Sequence, residues 1–262
     1  METPILTNLT TDAADGVLFL RINRAEKRNA LDSVTRAALI AGLDWAANCD
    51  EVSVVVIAGQ GGKSFAAGAD LQDATVATAL ELRKSLEGRR VYDAVSKFPK
   101  PVIAMIDGYC LGGGCELALS ADIRIASLRS KFGQPEIGLG IIPGGGATQR
   151  LPRLIGLGQA LRLVLTGELI DAEEAQRLGI IEIVVTHDEL EARTRALCAS
   201  MTSHSPVALK LAKQAVCASL ELPLSQGLVL ERELLCLAFT SQDRIEGLAA
   251  FREKRKAKFQ GR

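Results

Sequence analysis

The sequence is poor in the residue types on which several common classes of binding site depend. Aromatic residues make up 4% of the 262 residues, with one tryptophan, and there are only two histidines. With few histidines, the chain has few of the side chains that commonly bind a metal ion. The low aromatic content argues against a stacking surface for single-stranded nucleic acid. Basic and acidic residues number 31 each, so no net charge attracts a polyanionic partner or an anionic membrane.

Long apolar runs are also missing. No stretch approaches the roughly 20 apolar residues that a helix needs to cross a bilayer. The N-terminal METPILTNLTTDAADG has no basic segment leading into an apolar one, and its acidic residues are atypical of a transit peptide. We therefore expect a cytoplasmic protein that does not span a membrane.

The six cysteines are scattered along the chain without a CxxC pair. Such spacing is typical of neither a zinc site nor a disulfide framework. Most of them lie at apolar positions of helical segments, where cysteine behaves as a small buried thiol. We predict buried free cysteines, no disulfide and no metal.

Short runs rich in β-branched residues alternate with longer segments of helical period, which is the pattern of an α/β protein. The predicted strands are GVLFLRIN, VSVVVIAG, KPVIAMIDG, ADIRIAS and IIEIVV, and SVTRAALIAGLDWAANC is a predicted helix between the first two. VSVVVIAG and PVIAMIDG are apolar on both faces, which predicts strands that other layers cover on both sides.

Beyond residue 188 the strand signal ends and four helical segments follow, the last being SQDRIEGLAAFREKRKAKF. Ser205 with Pro206, Pro223 and Ser241 are typical helix starts, because a capping hydroxyl or a proline suits the first turn. The sequence therefore predicts an α/β core followed by a helical C-terminal module.

Several glycine clusters match nucleotide-binding or catalytic motifs only in part. GQGGKS lacks the earlier glycine of a phosphate-binding loop, and GLGIIPG has Pro143 where a dinucleotide fingerprint has its third glycine. No GxSxG nucleophile elbow is present, and His187 and His204 have no obvious nucleophile beside them in the sequence. A nucleotide-binding fold and a Ser/His or Cys/His hydrolase are therefore disfavoured.

Two glycine-rich turns stand where a predicted strand leads into a helix. In FAAGADL, Gly68 and its small neighbours allow a ligand to approach the main chain, and Asp70 can cap the helix that follows. In DGYCLGGGCELALS, glycines precede a helix that we expect to begin near Cys115, so its first N–H groups can face a ligand. Donors from both turns aimed at one point would form an oxyanion hole. Two tight turns in a packed core are the alternative.

Two glutamates lie in glycine-rich, otherwise apolar segments of the sequence. Glu116 falls in the first turn of the second helix, and Glu136 follows Pro135. Their ordinary roles would be a charge that stabilises the helix N-terminus and a solvated loop acid. If both face one dry pocket, one should keep its proton while the other acts as a base. Such a pair beside an oxyanion hole suits a substrate whose carbonyl takes up charge while a proton or water moves on neighbouring carbons.

Five ordered stretches resemble the enoyl-CoA hydratase/isomerase, or crotonase, superfamily. They are NRAEKRNAL, SFAAGADL, PVIAMIDGYCLGGGCELALSADIRIAS, KFGQPEIGLGIIPGGGATQRLPRLIG and DRIEGLAAFREKRKAKF, and the resemblance runs from about residue 17 to residue 259. It implies an α/β fold with a crotonase-type spiral core of repeated ββα units over residues 1–200 and a helical C-terminal trimerisation module over residues 201–262. It also implies a homotrimer, commonly stacked into a hexamer as a dimer of trimers.

The resemblance also implies the substrate and the roles of the site residues. The substrate is an acyl-CoA thioester, whose oxygen accepts hydrogen bonds from the backbone N–H groups of Ala69 and Gly113. Glu116 activates the water that adds to the β-carbon, Glu136 supplies the proton to the α-carbon, and Gly144 helps to seat the water. Relatives that lack one glutamate commonly catalyse other reactions. The presence of both favours a trans-2-enoyl-CoA hydratase that forms a 3-hydroxyacyl-CoA.

Coenzyme A enters as part of the substrate, and the resemblance implies no separate cofactor. The CoA-binding residues that it implies are Lys27, Arg28, Ala67 and Asp70, with Phe251 and Lys254 contributed by a neighbouring subunit. For the two basic residues of the first group, a solvated surface pair is the alternative.

Other functions stay open from the sequence. Within the family, they are a branched-substrate hydratase of the methylglutaconyl-CoA type and a delta-3, delta-2 enoyl-CoA isomerase. A non-catalytic relative that binds acyl-CoA or RNA is a further alternative, against which the two glutamates argue. The basic run REKRKAKFQGR resembles a nucleic-acid patch, but no aromatic series and no net positive charge accompany it. The expected setting is fatty acid or branched or aromatic acid degradation.

Overall fold

The computed structural model describes residues 3–70 and 78–262. In these ranges the strands are β1 (Leu9–Ala14), β2 (Val17–Ile22), β3 (Val54–Gly59), β4 (Ser64–Ala66), β5 (Val102–Ile106), β6 (Tyr109–Leu111), β7 (Ile123–Ser127), β8 (Lys131–Gly133), β9 (Ile170–Asp171) and β10 (Ile183–Val185). The α-helices are α1 (Ser33–Asn48), α2 (Ala79–Ser85), α3 (Val91–Ser96), α4 (Gly113–Ser120), α5 (Ala147–Ile155), α6 (Leu157–Thr166), α7 (Ala172–Leu178), α8 (Leu190–Thr202), α9 (Pro206–Ala218), α10 (Leu224–Phe239) and α11 (Gln242–Glu253). Ala25–Lys27 and Pro135–Leu139 form 3-10 helices.

A six-stranded sheet forms the centre of the α/β core. Its order is β1-β2-β3-β5-β7-β10, with β1 antiparallel to β2 and the other strands parallel. Alternate side chains of β3 enter different apolar clusters: Val55 and Ile57 face one, and Val54 and Val56 face the other. The prediction of two doubly covered strands is confirmed, because all of β5 and all of β3 except Gly59 are buried.

A second sheet, in the order β4-β6-β8-β9, consists of strands of two or three residues. Each short parallel strand follows a long strand of the first sheet: β4 follows β3, β6 follows β5, and β8 follows β7. Helices come after each such pair. This succession is the repeated ββα arrangement that the resemblance implies, and it brings β4, β6 and β8 side by side in parallel.

The chain after β10 is helical, as predicted. Helices α9, α10 and α11 begin directly after Ser205, Pro223 and Ser241. Lys213 joins α9 to the core, because its Nζ lies 2.6 Å from Asp122 Oδ2. Among the helices of the described ranges, none is both long and apolar enough to cross a membrane.

Some sequence-based boundaries are wrong. Helix α4 begins at Gly113 rather than near Cys115, because glycines take up its first turn. The last helix ends at Glu253 and does not run to residue 259, since Lys254 adopts a left-handed conformation with φ of 54°. The helix that Asp70 was expected to cap would begin in residues 71–77, which lie outside the described residues.

The prediction of buried cysteines is confirmed for three of the six, whereas Cys49 is half-buried and two others are exposed. Cys217 and Cys236 are exposed, because α9 and α10 pack on the rest of the chain with only part of their surface. Cys110, Cys115 and Cys198 are buried, and all six are free thiols. In the described ranges, no group of three or more His, Cys, Asp or Glu side chains is arranged to hold a metal ion.

Candidate active site

The glycine-rich turn before α4 places a helix N-terminus against the second sheet. Gly112 has φ of 49°, in the left-handed region that favours glycine. A Cβ atom on Gly114 would lie 2.0 Å from the carbonyl oxygen of Ala66 in β4, so only glycine allows the helix to approach this strand. The N–H groups of the first helical turn have no partner within the helix. They are therefore available to a ligand.

Ala69 follows β4 and pairs with Leu31 in a parallel bridge. The Leu31 N–H donates to the Gly68 carbonyl at 2.9 Å, and the Leu31 carbonyl accepts from the Asp70 N–H at 3.1 Å. Because neighbouring residues of an extended chain point to opposite sides, the Ala69 N–H points away from Leu31. A Cβ atom on Gly113 would lie 3.2 Å from Ala69 N. The two predicted oxyanion-hole residues therefore lie side by side.

Glu116 is buried in the first turn of α4, with 3% of its surface exposed. Its Oε1 accepts hydrogen bonds from the backbone N–H groups of Gly145 at 2.6 Å and Ala147 at 3.0 Å. Two such donors orient the carboxyl group. Oε2 takes part in neither bond, so it is the oxygen available to water or substrate.

Glu136 lies in the 3-10 helix Pro135–Leu139 and faces the same glycine turn. A Cβ atom on Gly112 would lie 2.8 Å from Glu136 Oε1. Burial, with a smaller contribution from the charge of Glu116, raises the pKa of Glu136 to about 7. Glu136 therefore keeps its proton up to about neutral pH.

Gln134 contacts Glu136, and sequence reasoning did not select it. Its buried side-chain amide, turned so that the nitrogen faces the acid, donates to both carboxyl oxygens at 3.2 Å. In the opposite orientation, the amide oxygen accepts the proton of the neutral carboxyl group. Gln134 therefore suits either protonation state of Glu136.

The loop before α5 covers Glu116. A Cβ atom on Gly145 would lie 2.5 Å from Glu116 Oε2 and 2.6 Å from Tyr92 Cζ, so a side chain there would displace both groups. Gly144, the predicted water-seating residue, precedes it and is exposed, and its carbonyl accepts a 2.7 Å hydrogen bond from Arg90 Nη2. Gly145, which the sequence did not indicate, therefore makes the direct contact with Glu116, and the role of Gly144 in seating water stays a prediction.

Tyr92 is a second pocket residue that the sequence did not indicate. It lies on α3, and its hydroxyl is 2.9 Å from the position of a Cβ atom on Gly113. Desolvation by burial, together with the charge of Glu116, raises the pKa of Tyr92 to about 12. No motif marks this residue, because an aromatic side chain on a short apolar helix is ordinarily part of the core.

Three of the residues predicted to bind CoA lie close together, two at the surface and Ala67 half-buried. Lys27 and Arg28 are exposed at the end of the 3-10 helix Ala25–Lys27, and the Arg28 carbonyl accepts a 3.1 Å hydrogen bond from the N–H of Ala67. Two basic side chains therefore flank the segment that leads to Ala69.

The other residues of that prediction have different surroundings. The Asp70 carboxylate is ion-paired with Arg24 at 3.0 Å, so it stabilises the loop that carries Ala69. Phe251 and Lys254 lie at the end of α11, and both are exposed. They are therefore accessible for contact with a neighbouring subunit.

Comparison with models of protein families assigns the chain to a family. The family model described as Enoyl-CoA hydratase/isomerase matches residues 12–262. The chain belongs to this family. The match includes every pocket residue described above and all the C-terminal helices, so the resemblance stated from the sequence is confirmed.

Individual relatives of the family match nearly the whole chain. The short-chain-enoyl-CoA hydratase of Clostridium acetobutylicum is 40% identical over 252 residues, which are 96% of this chain and 97% of that protein. The 2,3-dehydroadipyl-CoA hydratase of Escherichia coli is 41% identical over 261 residues, which are 98% of this chain and 100% of that protein. A crystal structure of enoyl-CoA hydratase from Bacillus anthracis superposes with a TM-score of 0.92 at 36% identity, covering 98% of this chain and 100% of that chain.

Proposed function

We propose that the pocket around Glu116 and Glu136 adds water reversibly to the 2,3 double bond of a trans-2-enoyl-CoA thioester and releases a 3-hydroxyacyl-CoA. The chain is an enoyl-CoA hydratase, a hydro-lyase. One observation supports the choice of residues above all: two carboxyl groups face one glycine turn, Glu116 from within α4 and Glu136 beside Gly112.

The backbone donors polarise the thioester. Water can add to the β-carbon only if electrons of the double bond move toward the carbonyl, so negative charge grows on the thioester oxygen. Ala69 and Gly113 lie side by side, and their N–H groups stabilise that charge as it develops. The positive end of the α4 helix dipole acts in the same direction.

The two glutamates divide the proton transfers. Glu116, whose carboxyl group is oriented by two backbone N–H donors, takes a proton from the attacking water. Glu136, which holds a proton near neutral pH, gives it to the α-carbon. The pair begins and ends with one proton, so dehydration follows the same path in reverse. The only cofactor group in this scheme is the coenzyme A of the substrate.

We propose that the C-terminal helices form the contacts of a trimer or of a dimer of trimers. The support is a set of exposed apolar side chains on α9, α10 and α11, among them Leu224 at 78% and Phe251 at 83% exposure. Phe251 and Lys254 would then contact CoA bound by a neighbouring subunit. Mass measurement in solution tests the assembly. The cytoplasmic location and the metabolic setting stay predictions.

Crotonyl-CoA tests the proposed reaction. We expect the absorbance of its conjugated thioester to fall on mixing with the protein, at a turnover of about 1 to 1000 per second. Binding without loss of absorbance would overturn the proposal and favour a non-catalytic relative. A panel of branched, carboxylated and 3-enoyl thioesters separates the family alternatives. Faster conversion of a 3-enoyl-CoA into a 2-enoyl-CoA would identify an isomerase.

The shared proton predicts a fall in activity above neutral pH. Because the pKa of Glu136 is raised to about 7, Glu136 is protonated below that pH and loses its proton above it. We expect kcat/KM for hydration to fall about tenfold per pH unit beyond this midpoint. Dehydration of the product should fall with the same midpoint, since both directions need one proton on the pair.

Initial rates in both directions, between about pH 5.5 and about pH 9, measure this dependence. Activity that is constant or rises through pH 7 contradicts Glu136 as the proton donor.

A further inference from the structure

We propose that Tyr92 is a third hydrogen-bond donor of the active site, and that its hydroxyl binds the thioester oxygen together with the N–H groups of Ala69 and Gly113. The inference rests on the proposed function, since it requires a thioester in this pocket. It adds a side-chain donor to the two backbone donors.

The position of the hydroxyl supports this role. A Cβ atom on Gly113 would lie 2.9 Å from Tyr92 Oη and 3.2 Å from Ala69 N. One atom-sized site beside Gly113 is therefore within hydrogen-bond reach of both the hydroxyl and the amide. Because glycine has no side chain, this site is open to a ligand atom.

The hydroxyl also has no protein partner among the residues that the structure describes. Tyr92 is 6% exposed, and no side chain or backbone group of these ranges forms a hydrogen bond with its Oη. Oη is not one of the fully buried polar atoms of these ranges, so the oxygen keeps some exposure and is open to a ligand. A substrate oxygen can therefore accept a hydrogen bond from this hydroxyl.

The ring is held so that the hydroxyl extends toward the oxyanion donors. Cζ and Cε2 lie 2.6 and 2.7 Å from the position of a Cβ atom on Gly145, and the Arg90 guanidinium lies 5.2 Å from the ring centroid. Burial raises the pKa of Tyr92 to about 12, so its hydroxyl is protonated and able to donate at neutral pH.

Glu116 is the competing partner for the hydroxyl. A Cβ atom on Gly145, which would contact the Tyr92 ring, would also lie 2.5 Å from Glu116 Oε2. The carboxylate is therefore close to Tyr92. However, the Tyr92 atoms nearest to that position are Cζ and Cε2, whereas Oη is the atom nearest to the Gly113 position. In the described ranges no hydrogen bond joins Tyr92 Oη to the Glu116 carboxyl group, whose Oε1 accepts from Gly145 and Ala147, so the hydroxyl can donate to a ligand atom beside Gly113.

Replacement of Tyr92 by phenylalanine removes the hydroxyl and keeps the ring. A donor to the oxygen that gains charge acts mainly in the transition state. We therefore expect Tyr92→Phe to lower kcat for crotonyl-CoA about 10- to 100-fold, with KM within about threefold of wild type. Tyr109→Phe is the matched control, because Tyr109 is the other tyrosine of the chain and is 42% exposed. It should leave both constants unchanged.

Bound cinnamoyl-CoA gives a direct spectroscopic readout. Its absorption band moves to longer wavelength when hydrogen bonds polarise the carbonyl, so the shift reports the donors without turnover. We expect Tyr92→Phe to reduce the shift and Tyr109→Phe to preserve it. An unchanged shift overturns the proposal. With an unchanged shift, a reduced kcat would assign the hydroxyl to the orientation of Glu116.

A second replacement covers the case in which Tyr92→Phe does not fold. Incorporation of 3-fluorotyrosine at position 92 keeps the side chain and makes its hydroxyl a stronger donor, so the cinnamoyl-CoA shift should increase; no increase overturns the proposal. If wild-type protein fails to hydrate crotonyl-CoA, the proposed function fails. The cinnamoyl-CoA shift still tests Tyr92, so the two failures are distinguishable.

Discussion

Alanine in place of Glu116 or Glu136 is expected to lower the turnover of crotonyl-CoA hydration by at least about 100-fold, within the usual range for an acid or base group. Glu116→Ala removes the proposed base for the attacking water, and Glu136→Ala removes the proposed acid for the α-carbon. The double variant should lose little more than either single variant, because the two groups act as a unit on one water. Initial rates from the loss of enoyl absorbance measure the effect.

Amide and surface variants control this experiment. Glu116→Gln and Glu136→Gln keep the side-chain volume, so they separate proton transfer from packing and should be about as impaired as the alanine variants. Glu173→Ala is the matched control, because Glu173 also lies in the first turn of a helix but is exposed. Turnover within a few-fold of wild type in either glutamate variant would remove the assignment.

Gly114→Ala is expected to have the largest effect on stability. A Cβ atom on this residue would lie 2.0 Å from the carbonyl oxygen of Ala66 and 2.6 Å from its carbonyl carbon. Backbone atoms of a buried strand cannot rotate away as the end of a side chain can, so α4 must move from β4. We expect the free energy of unfolding to fall by at least about 3 kcal/mol, the upper part of the range for overpacking. Denaturant-induced unfolding measures the change.

Gly158→Ala is the control for this substitution. Gly158 lies near the start of α6, and a Cβ atom there would meet nothing within 4 Å. Alanine also has the higher helix propensity, so the variant should be as stable as wild type or slightly more stable. Equal unfolding midpoints for Gly114→Ala and wild type would contradict the close approach of α4 and β4.

The long strands and the C-terminal helices could be predicted because their local patterns are strong. β3 and β5 are continuous apolar runs, as expected of strands buried on both faces. The side chains of Ser205 and Ser241 accept hydrogen bonds from the N–H groups of Ala208 and Arg244, and such N-caps are visible in the sequence.

The second sheet could not be predicted. Strands as short as Ser64–Ala66 and Lys131–Gly133 show no recognisable period, and pairing with strands distant in the sequence determines their conformation. β1 was also missed, because LTTDAA is largely polar and lies at the edge of its sheet.

In the site too, some residues could be predicted from the local sequence and others could not. Glu116 and Glu136 could be selected because acidic residues in glycine-rich, apolar segments are conspicuous. Tyr92 and Gln134 could not, because each acquires its role only through a tertiary contact, with the Gly113 turn and with Glu136 respectively. The contact of Gly145 with Glu116 likewise depends on how the loop before α5 folds.

A crystal structure with a bound enoyl-CoA analogue tests the central claim most directly. We predict the thioester oxygen within about 2.7 to 3.1 Å of both Ala69 N and Gly113 N, and a water molecule that contacts the carboxyl groups of both Glu116 and Glu136. A thioester bound with its oxygen away from these amides, or carboxyl groups that share no water at the β-carbon, would contradict the account.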